Sequence, residues 1–425
     1  MKTFWIIKGE ETLPIETYTG RLGRAGQFSE IIHNNGNYVV RWASTYKHIE
    51  KQYRYSENTR IENKKNYDII LLHSKRGYQK NISLKRFRYS QDLGGEFRRL
   101  SRQEPKPDII YCSWPLIDFA YEAVKYAKEF DIPVVIDIRD FWPDIFIQPF
   151  PKWLQPIAKL GINFLLKRKV SYVMKSADAI VGVIPKALEF AKSYGRELKS
   201  TDHVVHLAYD NTEVSKEVID LADEFWESQG LTADKCIISF IGTLNNRLGD
   251  FDTIVEAAKL CQNSSIIFVI CGVGNYFNVL KTKCIDYDNI ILPGYRNGAE
   301  LQSLLKKSTF GLIPLRNTDD FVDALPNKFG EYLSQGLIIL SSLKGNSRQI
   351  LERENCGCYY CDANSLIEGI EQIINSPTSK TIMSQNALNL FNREFNAAHV
   401  YSEFFKFIEV LANNSKHKDN LNNEK

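Results

Sequence analysis

No stretch of the 425-residue chain runs free of charge for the roughly 18 to 20 apolar residues that a membrane-spanning helix needs. The sequence therefore predicts a protein that is soluble or lies on a membrane surface. Cysteine is sparse: 8 in 425 residues do not make a disulfide framework, which points to a reducing, cytoplasmic setting. An excess of either charge is also missing. Against 54 Lys and Arg stand 51 Asp and Glu, a net charge of +3, too balanced for a chain that holds nucleic acid by its overall field. Any anion specificity must be local. The start, Met1 to Lys8, offers one cation and five apolar residues before Lys8, short of the apolar region of a signal peptide, and reads as a first strand. His33, His48, His73, His203, His206, His399 and His417 form no H-E-x-x-H and no obvious triad order. No repeat of solenoid period is present.

What is there is an ordinary globular balance, 44% apolar and 25% charged, long enough for two or three domains. Short β-rich runs at 2–8, 37–43, 67–73, 108–112, 133–138 and 179–183, and again at 236–242, 265–271, 289–292, 309–315 and 337–341, alternate with longer amphipathic stretches. Runs such as Ile237-Ile238-Ser239-Phe240-Ile241 are continuously apolar, as expected of a parallel sheet covered on both faces. The pattern predicts an α/β fold of two doubly wound, Rossmann-like domains. They divide near Tyr209-Asp210-Asn211-Thr212, before a charged helix at 213–229. The expected domains are 1–212 and 213–395, with a helix at about 396–412 packing back on the first and a polar, disordered tail at 413–425.

Ligands of open α/β sheets bind at the carboxyl ends of strands. After the strand at 236–241 comes Gly242-Thr243-Leu244-Asn245-Asn246-Arg247-Leu248-Gly249-Asp250, then a helix from about Phe251. Such a loop presents backbone N–H groups to an anion, and Arg247 adds a full charge. An ordinary βα turn is the competing reading. Further on, Asp323-Ala324-Leu325-Pro326-Asn327-Lys328-Phe329-Gly330-Glu331 sets two acids eight positions apart around a Pro and a Lys, the second expected to open a short helix before the strand at 337.

That spacing resembles the acid-x7-acid signature of GT-B nucleotide-sugar glycosyltransferases. Leu13-Pro14 with Gly20-Arg21-Leu22-Gly23-Arg24, and Arg41-Trp42-Ala43-Ser44-Thr45-Tyr46-Lys47-His48, look like the opening loop and second strand of a bacterial, surface-polysaccharide branch of family-four retaining glycosyltransferases (glycosyl transferases group 1). Asp137-Ile138-Arg139-Asp140-Phe141-Trp142-Pro143-Asp144 is similar to that branch's D-x-R-D-x-W-P-[DE] stretch, and Ala177-Asp178-Ala179-Ile180-Val181-Gly182 to its A-D-A-I-V strand. The resemblance covers nearly the whole chain. It implies a GT-B fold, two Rossmann-like domains facing a cleft, with the donor on the second domain and the acceptor on the first. The chain departs at Asp323, where the family usually has Glu, and at Leu248, where Lys or Gln is frequent.

Chemistry assigns roles on its own terms. Release of a nucleoside diphosphate needs stabilisation of developing negative charge, and Arg247 and Lys328 can supply it without a metal. Glu331 has two acceptor oxygens for ribose hydroxyls. Gly242, Thr243 and Asn327 complete the expected donor loop. The resemblance implies the same division of labour, with uracil held by backbone near Tyr295-Arg296 and with Gly20, Arg21, Gly23 and Arg24 forming the first-domain loop. Family members carry a His near the sugar where this chain has Asp137, Arg139 and Asp140, so an acid is expected there, with Asp323 as a further catalytic candidate. The alternative is that Asp137 and Arg139 form a salt bridge that fixes the loop.

Other motifs carry less. Asp250-Phe251-Asp252 and Asp286-Tyr287-Asp288 match the D-x-D of metal-dependent transferases, but such matches are expected among 51 acids, and no metal or cofactor is assigned. Asp319-Asp320-Phe321-Val322-Asp323 mimics a D-D-x-x-D diphosphate motif without a partner copy. Cys356, Cys358 and Cys361 lack a fourth zinc ligand nearby, and strand alternation places Cys356 and Cys358 on one face. From Ile145 to Ala177 there are six cations and no acid, interleaved with Phe146, Phe150, Trp153, Leu154, Ile157, Leu160, Phe164 and Leu165, and from Lys75 to Lys106 ten cations face three acids. These suit an anionic membrane surface; a core helix with snorkelling Lys is the other reading.

The sequence thus predicts a metal-independent retaining glycosyltransferase, cytoplasmic and peripheral at the inner face of the membrane. It would move a sugar, expected from UDP, to a glycan or polyprenyl-diphosphate-linked acceptor. A GT-B sugar-nucleotide epimerase and a non-catalytic GT-B subunit that binds a nucleotide sugar or a partner are the alternatives.

Overall fold

A computed structural model describes residues 1–15, 22–48, 50–81, 83–147, 150–212, 214–319 and 321–423, with the backbone alone at 163 and 414–423. The chain forms two compact units, 1–206 with 400–425, and 207–399.

The first unit contains β1 (Thr3–Ile7), α1 (Arg24–Asn34), β2 (Tyr38–Ser44), β3 (Tyr46–Lys47), β4 (Gln52–Tyr53), β5 (Thr59–Lys64), β6 (Tyr67–Leu72), α2 (Leu84–Leu100), β7 (Ile109–Trp114), α3 (Ile117–Glu129), β8 (Val134–Ile138), α4 (Gln155–Ser176), β9 (Ala179–Gly182), α5 (Pro185–Ser193) and β10 (His203–Val204). Its main sheet has the order β10-β9-β8-β7-β1-β2-β6-β5. All its pairings are parallel except β5 with β6. The chain winds outward from β1 in one direction and then restarts from β7, so the crossover point lies between the carboxyl ends of β1 and β7. β5 escapes a hydrophobicity reading because only Ile61 among its six residues is apolar. As an antiparallel edge strand bearing Arg60, Glu62 and Lys64 it closes the sheet against further pairing.

The second unit contains α6 (Lys216–Ser228), β11 (Cys236–Ile241), α7 (Phe251–Leu260), β12 (Ile266–Cys271), α8 (Phe277–Lys283), β13 (Ile290–Gly294), α9 (Gly298–Lys307), β14 (Phe310–Ile313), α10 (Asn327–Ser334), β15 (Ile338–Ser341), α11 (Asn346–Glu354), β16 (Gly357–Tyr359), α12 (Ala363–Ile374) and α13 (Pro377–Leu390). Its sheet order is β13-β12-β11-β14-β15-β16, parallel throughout. In chain order that is 3-2-1-4-5-6, the doubly wound arrangement whose ligand crevice opens between the first and fourth strands, here β11 and β14. Alternation along β11 explains why both faces are covered: Ile238 and Phe240 enter one apolar core, Ile237 and Ile241 the other.

α14 (Ala397–Asn423) begins in the second unit and from Val400 belongs to the first. There Phe404 meets Phe28 of α1 with ring centroids 4.9 Å apart, and Phe405 meets Phe4 of β1 at 5.9 Å. The helix also runs through most of the segment expected to be a disordered tail. Extending a helix already nucleated by a packed turn adds one hydrogen bond per residue, so polar residues can continue it.

Cys356 and Cys358 correct another expectation. Cys356 joins one apolar core and Cys358 packs against the other, because Cys356 precedes β16 and so lies outside its pleat. Burial pushes the Cys356 thiol up to about 12.

Candidate functional site

The crevice of the second unit is built on glycines. Gly242, leaving β11, has φ +146, and a Cβ there would stand 2.8 Å from the Lys328 ammonium. Gly272, leaving β12, has φ +146 as well, and its Cβ would fall 1.7 Å from the Gly242 carbonyl oxygen. The absence of side chains lets the two loops stack backbone on backbone: Gly242 N–H donates to Cys271 O at 3.0 Å and Leu244 N–H to Val273 O at 3.0 Å. Gly242 and Thr243 remain exposed. Gly272 was not singled out from the sequence, although the Cys271-Gly272-Val273-Gly274 run after an apolar strand is the signal that marks it.

The rest of the loop is braced from β14. Gly249 bridges to Leu315, and Arg316 reaches back to Asp250 at 3.3 Å and to Asn246 O at 3.2 Å. Arg247 is left exposed, its backbone N–H held by Asn245 Oδ1 at 2.9 Å and its guanidinium without an ion partner among the described residues.

α10 delivers the other charges. Asn327, exposed, is its first residue, so Glu331 lies in the second turn rather than at the opening. Lys328 places its Nζ 4.0 Å from the Phe240 ring centroid, a cation–π contact that holds the ammonium against the end of β11. Burial pushes this ammonium down to about 8, although the Glu331 carboxylate pulls it up. Glu331 is half-buried and accepts from Tyr209 OH at 3.4 Å. The fold therefore gathers Gly242, Lys328 and Glu331 from sequence positions 89 residues apart.

Asp323 lies elsewhere in the same loop. Its Oδ1 sits 2.3 Å from where a Cβ on Gly345 would be, and its carbonyl accepts from Asn346 Nδ2 at 2.9 Å, so the loop is seated on the start of α11. Tyr295 is largely exposed, but the Arg296 side chain is occupied: it donates to Pro293 O at 2.7 Å, pairs with Glu300 at 3.3 Å and covers Phe225 at 4.8 Å.

In the first unit the carboxyl ends of the strands carry a dense ionic network. Asp137, at 0% exposure, pairs with Arg24 at 3.1 Å and accepts from Tyr111 OH at 2.5 Å. Arg24 also donates to Val205 O at 2.7 Å and His206 O at 3.0 Å. This corrects two expectations. Asp137 is a fully buried anion rather than an open carboxylate, and its ion partner is Arg24 rather than Arg139. Arg24, in turn, is not a free cation of the first-domain loop. Gly23 makes room for Glu11, whose Oε1 lies 2.0 Å from where a Cβ would stand. Gly20 and Arg21 lie outside the described residues.

Arg139 pairs instead with Glu11 at 3.4 Å, and Arg41 with the same carboxylate at 2.8 Å. Burial opposes the Glu11 charge, but Arg41, Arg139 and Lys8 outweigh it and hold the carboxyl below its ordinary range. Glu10 binds Arg86 and Tyr78, and Arg86 covers Trp142 at 4.4 Å. Lys8 stands at the end of β1; burial, then repulsion by Arg139, lowers its ammonium against the pull of Glu11, Glu10 and Asp140. Asp140, two residues past β8, is the exposed carboxylate beside this network. The sequence reading passed over Lys8, Glu10 and Glu11; Lys8-Gly9-Glu10-Glu11 directly after an apolar strand was the available signal.

The acids of the first D-x-D run are spoken for, whereas Asp286 and Asp288 are exposed on the surface. Asp252 accepts from Tyr276 OH at 2.7 Å and pairs with Lys283 at 2.5 Å, while Asp250 faces Arg316 and Thr253. Among the described residues no three His, Cys, Asp or Glu are grouped to hold a metal.

Residues 222–390 match the family described as glycosyl transferases group 1, a span that contains Gly242, Gly272, Arg247, Asp323, Lys328 and Glu331. No curated protein matches the sequence. Among solved structures, sucrose-phosphate synthase from Thermosynechococcus elongatus superposes with TM-score 0.67 at 13% identity, covering 97% of this chain and 99% of that one. HepE from Anabaena in complex with UDP gives 0.66 at 10%, covering 96% and 100%. WaaG, a glycosyltransferase involved in lipopolysaccharide biosynthesis, gives 0.60 at 12%, covering 92% and 95%. At these identities the likeness shows the fold, GT-B, with its two Rossmann-like units.

Proposed function

We propose, for a chain whose segment 222–390 is a glycosyl transferases group 1 domain on a GT-B fold, that it transfers a sugar with retention from a UDP-sugar to a lipid-linked or growing glycan in surface-polysaccharide synthesis, without a metal. One observation carries the donor side: a partly desolvated ammonium, Lys328, is pressed against an exposed Gly242 backbone at the crossover point of the sheet, with Glu331 one turn away. A buried cation of this kind lowers stability unless an anion arrives, which is the signature of a binding group. Uridine as the base is supported by the HepE complex with UDP on the same fold.

In this reading the bond between the anomeric carbon and the diphosphate oxygen breaks as an acceptor hydroxyl oxygen bonds to that carbon and passes its proton to the leaving phosphate, while Lys328 and Arg247 neutralise the charge gathering there. Glu331 holds the ribose hydroxyls, and Tyr209 fixes one of its oxygens. Asp323, seated against Gly345, positions the loop that leads to α10. On the first unit Asp140 is the carboxylate open to the sugar or acceptor, while Asp137 and Arg139 hold the β8 loop through Arg24 and Glu11. The acceptor is a glycan or a polyprenyl-diphosphate-linked sugar, with the enzyme cytoplasmic and peripheral at the inner face of the membrane.

The test is a panel of UDP-, GDP- and dTDP-sugars read first by thermal shift, then by transfer to acceptor. A uridine donor at 100 times its Kd is expected to stabilise the fold by about 2.7 kcal/mol, with transfer persisting in EDTA. Epimerisation or hydrolysis as the sole turnover would overturn transfer, and activity lost in EDTA and restored by Mg²⁺ would overturn the metal-free scheme.

Glu331→Gln gives a narrower check. Loss of a hydrogen bond to a charged group should weaken UDP binding by about 1.5–3 kcal/mol. Because Glu331 also supports the Lys328 charge, the decline of UDP affinity at alkaline pH should begin at lower pH than in the wild type. Unchanged calorimetric affinity for UDP across pH 6–9 would remove Glu331 from the site.

A further inference from the structure

α4 is two helices in character. Its second half buries Leu166, Val170, Val173 and Met174 in the first unit's core, which accounts for the apolar residues there. The first half buries almost nothing comparable. Trp153 is 74% exposed, Ile157 66%, Leu160 73%, Phe164 88% and Leu165 70%. At 3.6 residues per turn, Ile157, Leu160 and Phe164 fall within about 60° of one another, so they form one outward stripe, with Trp153 just before its start. Large apolar side chains exposed in a row are not what a solvated face presents.

The charges around the stripe say what covers it. From Ile145 to Ala177 there are six cations and no acid. Lys169 is used internally, pairing with Asp118 at 2.6 Å. Lys152, Lys159, Lys167 and Arg168 are exposed and have no ion partner among the described residues. A second copy of the chain laid on this face would bring the same cations against them and be repelled. No described helix is long and apolar enough to cross a membrane, so a spanning role is not at issue.

We infer that the first half of α4, with Trp153, lies in the plane of an anionic bilayer, its Ile157-Leu160-Phe164 stripe inserted at the headgroup boundary and Lys152, Lys159, Lys167 and Arg168 on the lipid phosphates. Apolar insertion and electrostatic attraction then act together. This rests on the acceptor side of the reading above, but vesicle binding is read without donor or transfer, so either can fail alone.

The experiment is co-sedimentation of the full chain with vesicles of phosphatidylglycerol and phosphatidylcholine, against pure phosphatidylcholine, at low and high salt. The substituted side chains are exposed, so Trp153→Ser/Leu160→Ser/Phe164→Ser and Lys159→Glu/Lys167→Glu/Arg168→Glu should melt as the wild type does. The wild type is expected to prefer anionic vesicles. The apolar variant should lose at least tenfold in partition at both salts. The charge variant should lose as much at low salt and converge on the wild type at high salt. Equal sedimentation of all three proteins would overturn the proposal. So would a wild-type dimer that the apolar variant dissociates without any change in vesicle binding, which would assign the stripe to a second copy instead.

Discussion

Lys328→Met is expected to lower kcat by about 10²–10³, the scale of other preorganised charge stabilisers, while raising the melting temperature. The two effects have one cause. Burial against Phe240 and Gly242 disfavours the Lys328 ammonium and lowers it to about 8 from the ordinary lysine value of 10.5. The unfolded chain bears no such penalty. Below pH 8 the folded and unfolded states are both protonated at this site, and the full penalty is present. As pH rises from about 8 toward the unfolded value, the folded state sheds its proton first and the penalty is relieved. The advantage of the Met variant should therefore be largest below pH 8 and fade by about pH 10.5. Wild-type kcat/KM should fall as pH passes 8, because the free enzyme loses its cation. The limb in kcat should lie higher, since bound diphosphate favours the charged form. Thermal melts at pH 7 and 10 together with the two pH profiles check this. A Met variant that is less stable and fully active would show Lys328 to be a structural residue.

The second large effect belongs to the first unit. Arg24→Met or Asp137→Leu alone should destabilise the protein by about 3–5 kcal/mol, because each leaves its partner charged, buried and unpaired. Arg24 pairs with Asp137 at 3.1 Å with side-chain exposures of 1% and 0%. At the size of this unit each kcal/mol corresponds to roughly 2–4 °C in Tm. The double variant Arg24→Met/Asp137→Leu should lose much less than the sum, since two apolar groups leave no orphaned charge. Chemical denaturation of the four proteins gives the coupling. If Asp137→Leu kept full stability yet abolished transfer, Asp137 would have to be moved from the scaffold into the reacting site, against the geometry described here.

These two residues show where sequence and structure part company. Lys328 was legible because a Lys between two acids at fixed spacing, just ahead of an apolar strand, is a local pattern, and α10 keeps it local. Asp137 was legible only as one of three charges in the four-residue run Asp137–Asp140. Which of the three faces inward follows from the pleat: Asp137 is within β8, whereas Asp140 is past its end. Its partner Arg24 lies 113 residues away in sequence, in α1, and no periodicity connects the two. The Glu10 and Glu11 network is of the same kind, made of short polar runs that become a cluster only when β2, α2 and the loop after β8 close around the end of β1.

By itself the sequence determined that the chain is α/β, that its core strands are parallel and doubly wound, and where the glycine loops after the strands fall. Those properties come from apolar runs of strand length, helical periodicity between them and glycines after strands, all of which act over a few residues. The tertiary structure alone decided that Gly242 and Gly272 stack backbone on backbone, that Asp137 is an interior anion, that Cys356 and Cys358 part to opposite faces, and that half of α4 keeps its apolar side chains in the open. Each depends on which surfaces remain uncovered once distant elements have packed, and long-range burial leaves no mark in local pattern.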